Sequence, residues 1–576
     1  MIWEEVLLPS IWQGQLQKGY NMKLIECVPN FSEGKDKEKI QEIAKAIKSV
    51  QGVNLLDIDP GEATNRTVFT FVGTPEAVLE GAFQGIKKAA EIIDMRNHKG
   101  EHPRIGATDV CPFVPLQGAT MEDCIEIAKK LGKRVWEELK IPVYLYEYAA
   151  TSEERRSLAN IREGEYEGLA NKLKDPKWKP DFGDAFFNEK SGATVIGARN
   201  FLIAYNINLN TRDKRLANKI ALKLREKGTI KKDKYGNKIL DENGNPVYEP
   251  GLFKDVRAVG WYIDEYGLAQ ISINVLNYKL SPLHKIYDAA EEIASKMGLK
   301  TIGSEIVGLV PLEAILMAGE YYLQKQGKSR AVEEEEKIHI AIKSLGLSSV
   351  QKFDPKEKII EYKIGLNKGD LIELSLKNFC SELASSSPAP GGGSVAALCG
   401  ALASSLSSMV SNLTFGTKGY EKYNEKMEEI GIKAQELKDK FLKLVDKDTE
   451  AFNNLMKAMR LPKEKEEEKI KREEEIKKAT QGAIEVPLET LKSSYEIPAL
   501  ALELIKKGNQ NALSDAASSL LVSYSAAFCA YFNVLINLKG LKEEEREKYL
   551  KEAEEIISKI EKLKKFGMKK IIKKLM

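Results

Sequence analysis

Apolar and polar residues alternate over Lys23–Val28, the period of a half-buried strand, and Val53–Ile58, Thr67–Val72, the apolar run Val110–Val114 and Val143–Tyr148 also read as strands. Between them, apolar positions fall at helical spacing over Asp36–Ser49, Pro75–Ile93 and Thr120–Leu139, the second opened by proline. The elements as far as Val114 read β-α-β-β-α-β, a ferredoxin-like split unit. The same order returns with a strand-like Thr194–Asn208, a helix over Arg212–Glu226 and strands at Val256–Ile263 and Leu268–Val275. A helix from a Ser281-Pro282 cap to Met297 and a strand at Ile302–Val310 complete it. Gly228–Gly251 interrupts this second unit as a surface hairpin, with turn chemistry at Tyr235-Gly-Asn and Asn243-Gly-Asn-Pro.

Beyond about residue 372 the strand pattern ends. Helical periods cover Ser394–Leu413, Lys422–Met459, Val486–Lys507, Asn511–Leu538 and Glu543–Leu575. Glu464–Lys478 is a mixed charge run, read as a solvated helix or loop. The expected architecture is an α+β half with two ferredoxin-like subdomains, followed by an all-α helical domain. In residue numbers this is an extension 1–21, subdomains 22–201 and 202–362, a linker 363–372 and a helical domain 373–576.

Composition narrows the class. The 576 residues are 43% hydrophobic and 30% charged, which reads as globular and well solvated. A net charge of +3 is too small for a dedicated nucleic-acid protein. Glu4 and Glu5 stand where a signal peptide would be basic. Leu383–Thr417 and Ala516–Leu538 carry no charge, but their many Ser and Asn residues point to buried bundle helices rather than membrane spans. Six cysteines without a CxxC pair read as buried thiols in a reducing, cytoplasmic compartment.

The chain has four histidines, and two of them, His98 and His102, fall in one segment, Asn97–Asp109. Their i,i+4 spacing suits zinc on a helix, but Gly100 and Pro103 oppose a continuous helix and no third ligand follows. A loop holding a general acid or base, tuned by Glu101, Arg104 and Asp109, is the functional reading. An inert surface histidine is the other, and spacing does not separate them. Asp59–Arg66 joins two expected strands, as an Asx turn or as the lip of a cleft. Pro29–Gly34 follows the first strand and reads as a helix start or as part of the same lip.

Pro388-Ala-Pro-Gly-Gly-Gly-Ser394 precedes an Ala/Ser-rich helix. Without a P-loop lysine it does not suit nucleotide, but its backbone N–H groups can receive an anion such as a carboxylate. Packing alone is the alternative. No histidine lies beyond residue 339, so acid–base chemistry in the helical domain falls to a carboxyl. Asp448, in Asp446-Lys-Asp-Thr-Glu450 and followed by Ala451-Phe452, is the candidate, weighed against a solvated charge cluster.

Long segments of the chain resemble the formiminotransferase-cyclodeaminase family. They include Glu26-Cys-Val-Pro-Asn-Phe-Ser-Glu-Gly34, Thr64-Asn-Arg-Thr67, His98-Lys-Gly-Glu-His-Pro-Arg104 and Asp109-Val-Cys-Pro-Phe113. Gly260-Trp-Tyr262, Val307-Gly-Leu-Val-Pro311 and Ile359-Ile-Glu-Tyr362 follow, then Ala389–Ala397, Met459–Lys463 and Tyr531–Asn537. The resemblance implies a bifunctional folate enzyme of histidine degradation. Its first half would transfer the formimino group of N-formimino-L-glutamate to tetrahydrofolate. Its second would cyclise 5-formiminotetrahydrofolate to 5,10-methenyltetrahydrofolate and release ammonia.

The resemblance places the transferase acid–base residue on His102 and the cyclodeaminase residue on Asp448. Its folate-binding segment falls on Gly183, Asp184, Ala185, Phe186, Phe187, Asn188, Glu189, Lys190, Ser191 and Gly192, whose middle departs from the family pattern. Tetrahydrofolate is implied as co-substrate, polyglutamylated where Lys177, Lys179 and Lys418 hold its tail. A homo-oligomer is implied, and no metal, nucleic-acid or membrane partner. Three alternatives remain: a C-terminal methenyltetrahydrofolate cyclohydrolase, formyl in place of formimino transfer, and a non-catalytic folate-binding protein.

Overall fold

The computed structural model describes residues 23–576 apart from 63, 101, 243, 265 and 366–368, so the expected extension 1–21 lies outside the described residues. The chain forms two compact units. One runs to Ala314 and takes up the chain again from Leu345; the other joins Ile315–Ser344 to the chain as far as Met576.

The first unit contains two sheets. Its N-terminal sheet has a first strand broken into β1 (Ile25–Cys27) and β2 (Asn30–Phe31), then β3 (Val53–Gly61), β4 (Arg66–Gly73) and β5 (Thr108–Pro115). β4 lies between β3 and β1/β2, which in turn pair with β5. This is the ferredoxin-like order. It is extended beyond β5 by β7 (Thr194–Ala198) and β6 (Val143–Glu147), both parallel. The period-2 pattern explains the layering: Ile25, Cys27, Phe31, Phe69, Phe71, Cys111 and Phe113 point to one face and form the core with α1 (Lys37–Lys48), α2 (Pro75–Ile92) and α3 (Met121–Leu139). Asp36 caps α1 and a Thr120/Asp123 capping box starts α3, as their sequences signal. The opposite face is partly covered by α4 (Leu158–Arg162) and α5 (Glu165–Lys172), through Tyr144, Tyr146, Ile161 and Leu169.

The second sheet comprises β8 (Ile203–Leu209), β11 (Val256–Ile263), β12 (Leu268–Val275) and β13 (Thr301–Val307), in the order β11-β12-β8-β13. That is again ferredoxin-like, with α6 (Lys214–Leu224) and α7 (Leu283–Lys296) as its helices. The hairpin between α6 and β11 is closed by β9 (Thr229–Ile230) and β10 (Tyr248–Glu249). Two local expectations are corrected. Thr194–Asn208 is two strands in two different sheets, because Arg199–Leu202 carries the chain across between them. Ser281 does not cap α7; its hydroxyl donates to Lys254 O at 2.6 Å instead, and Pro282 takes the cap position.

The second unit is helical: α10 (Leu376–Leu383), α11 (Gly392–Thr414), α12 (Asn424–Met459), α13 (Glu466–Lys507), α14 (Leu513–Asn537) and α15 (Glu543–Leu575). The charge run at 464–478 is mostly the first turns of α13, which continues through Pro487 and Pro498. Residues 315–344, expected with the α+β half, pack here: Arg330 pairs with Glu428, and Asn412 Nδ2 donates to Ala331 O at 2.7 Å. They include most of α8 (Leu312–Lys325) and α9 (Glu334–Leu345), two helices whose weak amphipathic pattern gave no sequence signal.

α11 and α14 are long and apolar enough to cross a membrane by length and composition. In the bundle they pack on one another through small residues and a buried Ser407–Ser519 hydroxyl pair at 2.8 Å. α14 nevertheless keeps Phe532 and Ile536 exposed. The expectation of six buried thiols holds for Cys27, Cys111 and Cys124 only; Cys380 is exposed and Cys399 and Cys529 are half-buried.

Candidate active sites

The His102 loop leaves α2 and returns as β5. Arg104 anchors it. Its guanidinium grips Glu167 through both Nη atoms at 2.8 and 2.7 Å, and Glu165 at 2.9 Å, on the first turn of α5. Arg104 Nε also donates to His98 Nδ1 at 3.2 Å, while His98 Nε2 lies 2.9 Å from Asn65 O. An arginine only donates, so His98 Nδ1 accepts and its proton sits on Nε2. Both nitrogens of His98 are therefore spent on holding loops together. Glu101 lies outside the described residues.

His102 stands in a different setting. Its Nδ1 is 2.7 Å from Pro103 O, and Arg66 Nη1 lies 2.6 Å from each ring nitrogen. Arg66 is held by Asn30 Oδ1, which accepts from Nε at 2.9 Å, and pairs with Asp109 at 3.6 Å. Asp109 is fully buried, accepts from Ile105 N–H at 3.1 Å and pairs with Arg162 of α4. α4 is itself fixed by Lys172, whose ammonium donates to the carbonyls of Asn160, Ile161 and Glu163. Burial, and then the Arg66 and Arg162 cations, push the His102 pKa down to about 4, against Pro103 O and Asp109. At neutral pH this histidine is an unprotonated base.

The folate segment expected at Gly183–Gly192 meets this loop. Ala107 N–H donates to Ser191 O at 2.8 Å, and Ala193 N–H donates to Ile105 O at 3.0 Å. Gly192 makes the approach possible. It sits at φ +67°, and a Cβ there would fall 2.2 Å from Ile105 O. Asn188, Lys190 and Ser191 are used to hold the segment: Asn188 Oδ1 accepts from Ser191 N–H at 2.9 Å, and Lys190 Nζ donates to Glu91 O at 2.7 Å. Phe187 packs on Tyr166, while Asp184, Ala185, Phe186 and Glu189 are exposed. The sequence singles out Pro29–Gly34 and Asp59–Arg66 separately; that Asn30 holds the arginine, Arg66, that reaches the histidine is visible only in the fold.

In the second unit the glycine motif and Asp448 form one site. α11 begins at Gly392 with no side-chain cap of its own. Asp448 of α12 fills that role, accepting from the Ser394 backbone N–H, with Ser394 Oγ 3.4 Å from its Oδ2. Gly393 admits the carboxylate, since a Cβ there would lie 2.0 Å from Asp448 Oδ1. Asn533 of α14 borders Gly392, a contribution hidden inside a longer apolar run. Burial raises the Asp448 pKa, against the Ser394 hydrogen bonds. Glu450 is a second unusual carboxyl: burial, then Asp446 and Asp370, raise it to about 7 against Lys447 and Lys457. We expect Gly393→Ala to slow the chemistry of this unit more than about tenfold by displacing Asp448, and to leave the other unit at wild-type rate; equal rates in separate assays of both would refute that.

Comparison with known proteins divides the chain between residues 365 and 375, which leaves residues 315–344 with the first half. Residues 24–199 match the formiminotransferase domain, N-terminal subdomain, 204–365 the formiminotransferase domain, and 375–556 formiminotransferase-cyclodeaminase. A formimidoyltransferase-cyclodeaminase of Rattus norvegicus is 43% identical over 90% of this chain and 93% of its own length. The chain belongs to the formiminotransferase-cyclodeaminase family. A glutamate formimidoyltransferase of Thermoplasma acidophilum is 45% identical over 53% of this chain and 94% of its own. A methenyltetrahydrofolate cyclohydrolase of Methylorubrum extorquens is 37% identical over 32% of this chain and 89% of its own. Family membership therefore covers both candidate sites.

Proposed function

We propose that the first unit transfers the formimino group of N-formimino-L-glutamate to N5 of tetrahydrofolate, and that the helical unit cyclises the product to 5,10-methenyltetrahydrofolate with release of ammonia. Similarity along nine-tenths of the chain to a formimidoyltransferase-cyclodeaminase carries this reading.

Transfer needs one group that accepts a proton from the attacking N5 and returns it to the departing glutamate nitrogen. His102 is kept unprotonated for the first of these steps, and the adjoining Gly183–Gly192 segment is the place for the folate. Asp109 sets the electrostatics by holding Arg66 and Arg162 beside the imidazole. In the second unit N10 closes on the amidine carbon, and the nitrogen that leaves must be protonated. Asp448, protonated over a wider pH range than an ordinary aspartic acid, supplies that proton.

A cyclohydrolase reading of the helical unit is favoured by the Methylorubrum relative. Incubation with N-formimino-L-glutamate and tetrahydrofolate, following ammonia and methenyltetrahydrofolate together, separates the two. Equal yields of both support cyclodeamination. Release of no ammonia from that mixture, together with hydrolysis of separately supplied 5,10-methenyltetrahydrofolate, supports the cyclohydrolase.

The Arg66–His102 contact makes a pH prediction. A cation beside the imidazole lowers its pKa, so its removal raises it. The acid limb of kcat/KM for transfer should move in Arg66→Met from near pH 4 toward the ordinary histidine range around 6.5. An acid limb unmoved by the substitution would sink this account.

A further inference from the structure

The second sheet has a polar face that the fold does not require. Its other face carries Val256, Ala258, Ile271, Ile273, Ile207 and Tyr205 into the helix side, where the subdomain core sits. On the polar face Trp261, Gln270 and Asn208 stand in register across β11, β12 and β8, and Asn206 opposes Glu305 across β8 and β13. Asn208 and Gln270 are fully buried and Asn206 nearly so, while Glu305 is half-buried and Trp261 is 41% exposed.

The hydrogen bonds in this row have one direction. The indole N–H of Trp261 only donates, so Gln270 must turn its oxygen to it, at 3.0 Å. That turns the Gln270 amide nitrogen toward Asn208 Oδ1 at 2.6 Å and Glu305 Oε1 at 2.9 Å. Asn206 Nδ2 donates to the same Oε1 at 3.0 Å. Asn208 Nδ2 in turn donates to Ser349 Oγ at 3.3 Å. One oxygen of Glu305 thus receives two amide donors, and among the described residues no donor reaches Oε2. Burying three amides around a carboxylate costs stability unless each is paired, and here the pairing fixes the carboxylate in one orientation, with Gln270 linking it to a part-exposed indole. A carboxylate so placed suits a planar N–C–N unit offering two N–H groups, and the indole suits a flat ring.

We propose that Glu305, joined through Gln270 to Trp261, is a recognition site for such a donor pair: the 2-amino-4-oxopyrimidine edge of a reduced pterin, or the amidine of a formimino group. The proposal rests on the folate reading above and adds residues of the second subdomain to it. Asn206 and Gln270 are positioning residues that aim the carboxylate. Trp261 supplies the stacking surface.

Calorimetric titration of the full chain tests it, with 6-methyltetrahydropterin and N-formimino-L-glutamate as separate probes. Glu305→Gln keeps the shape but loses the charge. It should weaken one probe about tenfold or more, and leave the other unchanged. Loss of the pterin identifies the pterin edge, and loss of the formimino compound identifies the amidine. In the first case a pterin without the 2-amino group should bind the wild type weakly and lose nothing further on Glu305→Gln, a coupling that a merely structural role would not give. Should Glu305→Gln fail to fold, Trp261→Leu on the exposed ring is expected to show the same selective loss. Both probes binding wild type and variant alike would overturn the site and leave the folate reading intact. Binding of neither probe by the wild type would overturn both.

Discussion

His102→Ala is expected to reduce formimino transfer about 10²–10⁴-fold, the usual worth of a positioned acid–base group, while supplied 5-formiminotetrahydrofolate is still cyclised at the wild-type rate. The size follows from the surroundings. Arg66 and Arg162 cannot act as bases near neutrality, and Asp109 is buried and bound by both. His98 has its nitrogens committed to Arg104 and Asn65 O, so it cannot take over. The variant should fold, because the loop is held by Arg104, His98 and the Ser191–Ala193 pairing rather than by His102. Removing a half-buried neutral imidazole also removes a group that disfavours the fold when it is protonated. Its depressed pKa means that this contribution to stability is present above the unfolded value near 6.5 and is lost as pH falls through about 4. His102→Ala should therefore flatten the acid side of the stability profile. Loss of both reactions in a well-folded variant would mean that His102 serves the chain in some other way.

Much of the fold is legible in the amino-acid sequence, and the reasons are local. Val256–Ile263 and Leu268–Val275 read as strands flanking a turn, and those boundaries coincide with the observed strands. Thr194–Asn208 reads as one strand because the polar break at Arg199-Asn200 is only two residues long, and the switch between sheets at Arg199–Leu202 involves no glycine or proline. The helices Leu312–Lys325 and Glu334–Leu345 escape a sequence reading for lack of a strong apolar stripe. At the sites, residue types point to His102 and Asp448, but they do not reveal what converges on them. Arg66 and Arg162 act on the histidine from elements far apart in sequence, and Asn30 from a third holds Arg66 in place. The meeting of the Gly391–Gly393 turn with Asp448 depends on two helices packing closely, which sequence spacing alone does not encode.

Asp448→Asn should stall the second reaction at 5-formiminotetrahydrofolate, lowering methenyl formation about 10²–10⁴-fold with transfer unaffected. The amide still accepts the Ser394 N–H, so the cap of α11 and the fold should survive, but it cannot carry a proton. The competing carboxyl is Glu450, whose pKa of about 7 also suits proton transfer. Geometry separates the two. Residues two apart on a helix do not share a face, and it is Asp448 that meets Gly393 and Ser394, while the groups acting on Glu450 are Asp446, Asp370 and lysines. Glu450→Gln should therefore change the rate less than about tenfold. Absorbance of the methenyl product and released ammonia, measured for both variants from the same preparation of 5-formiminotetrahydrofolate, decide it. Stalling in Glu450→Gln with turnover in Asp448→Asn would move the proton donor one half-turn along α12, away from the glycine turn and onto the Asp446 side of the helix.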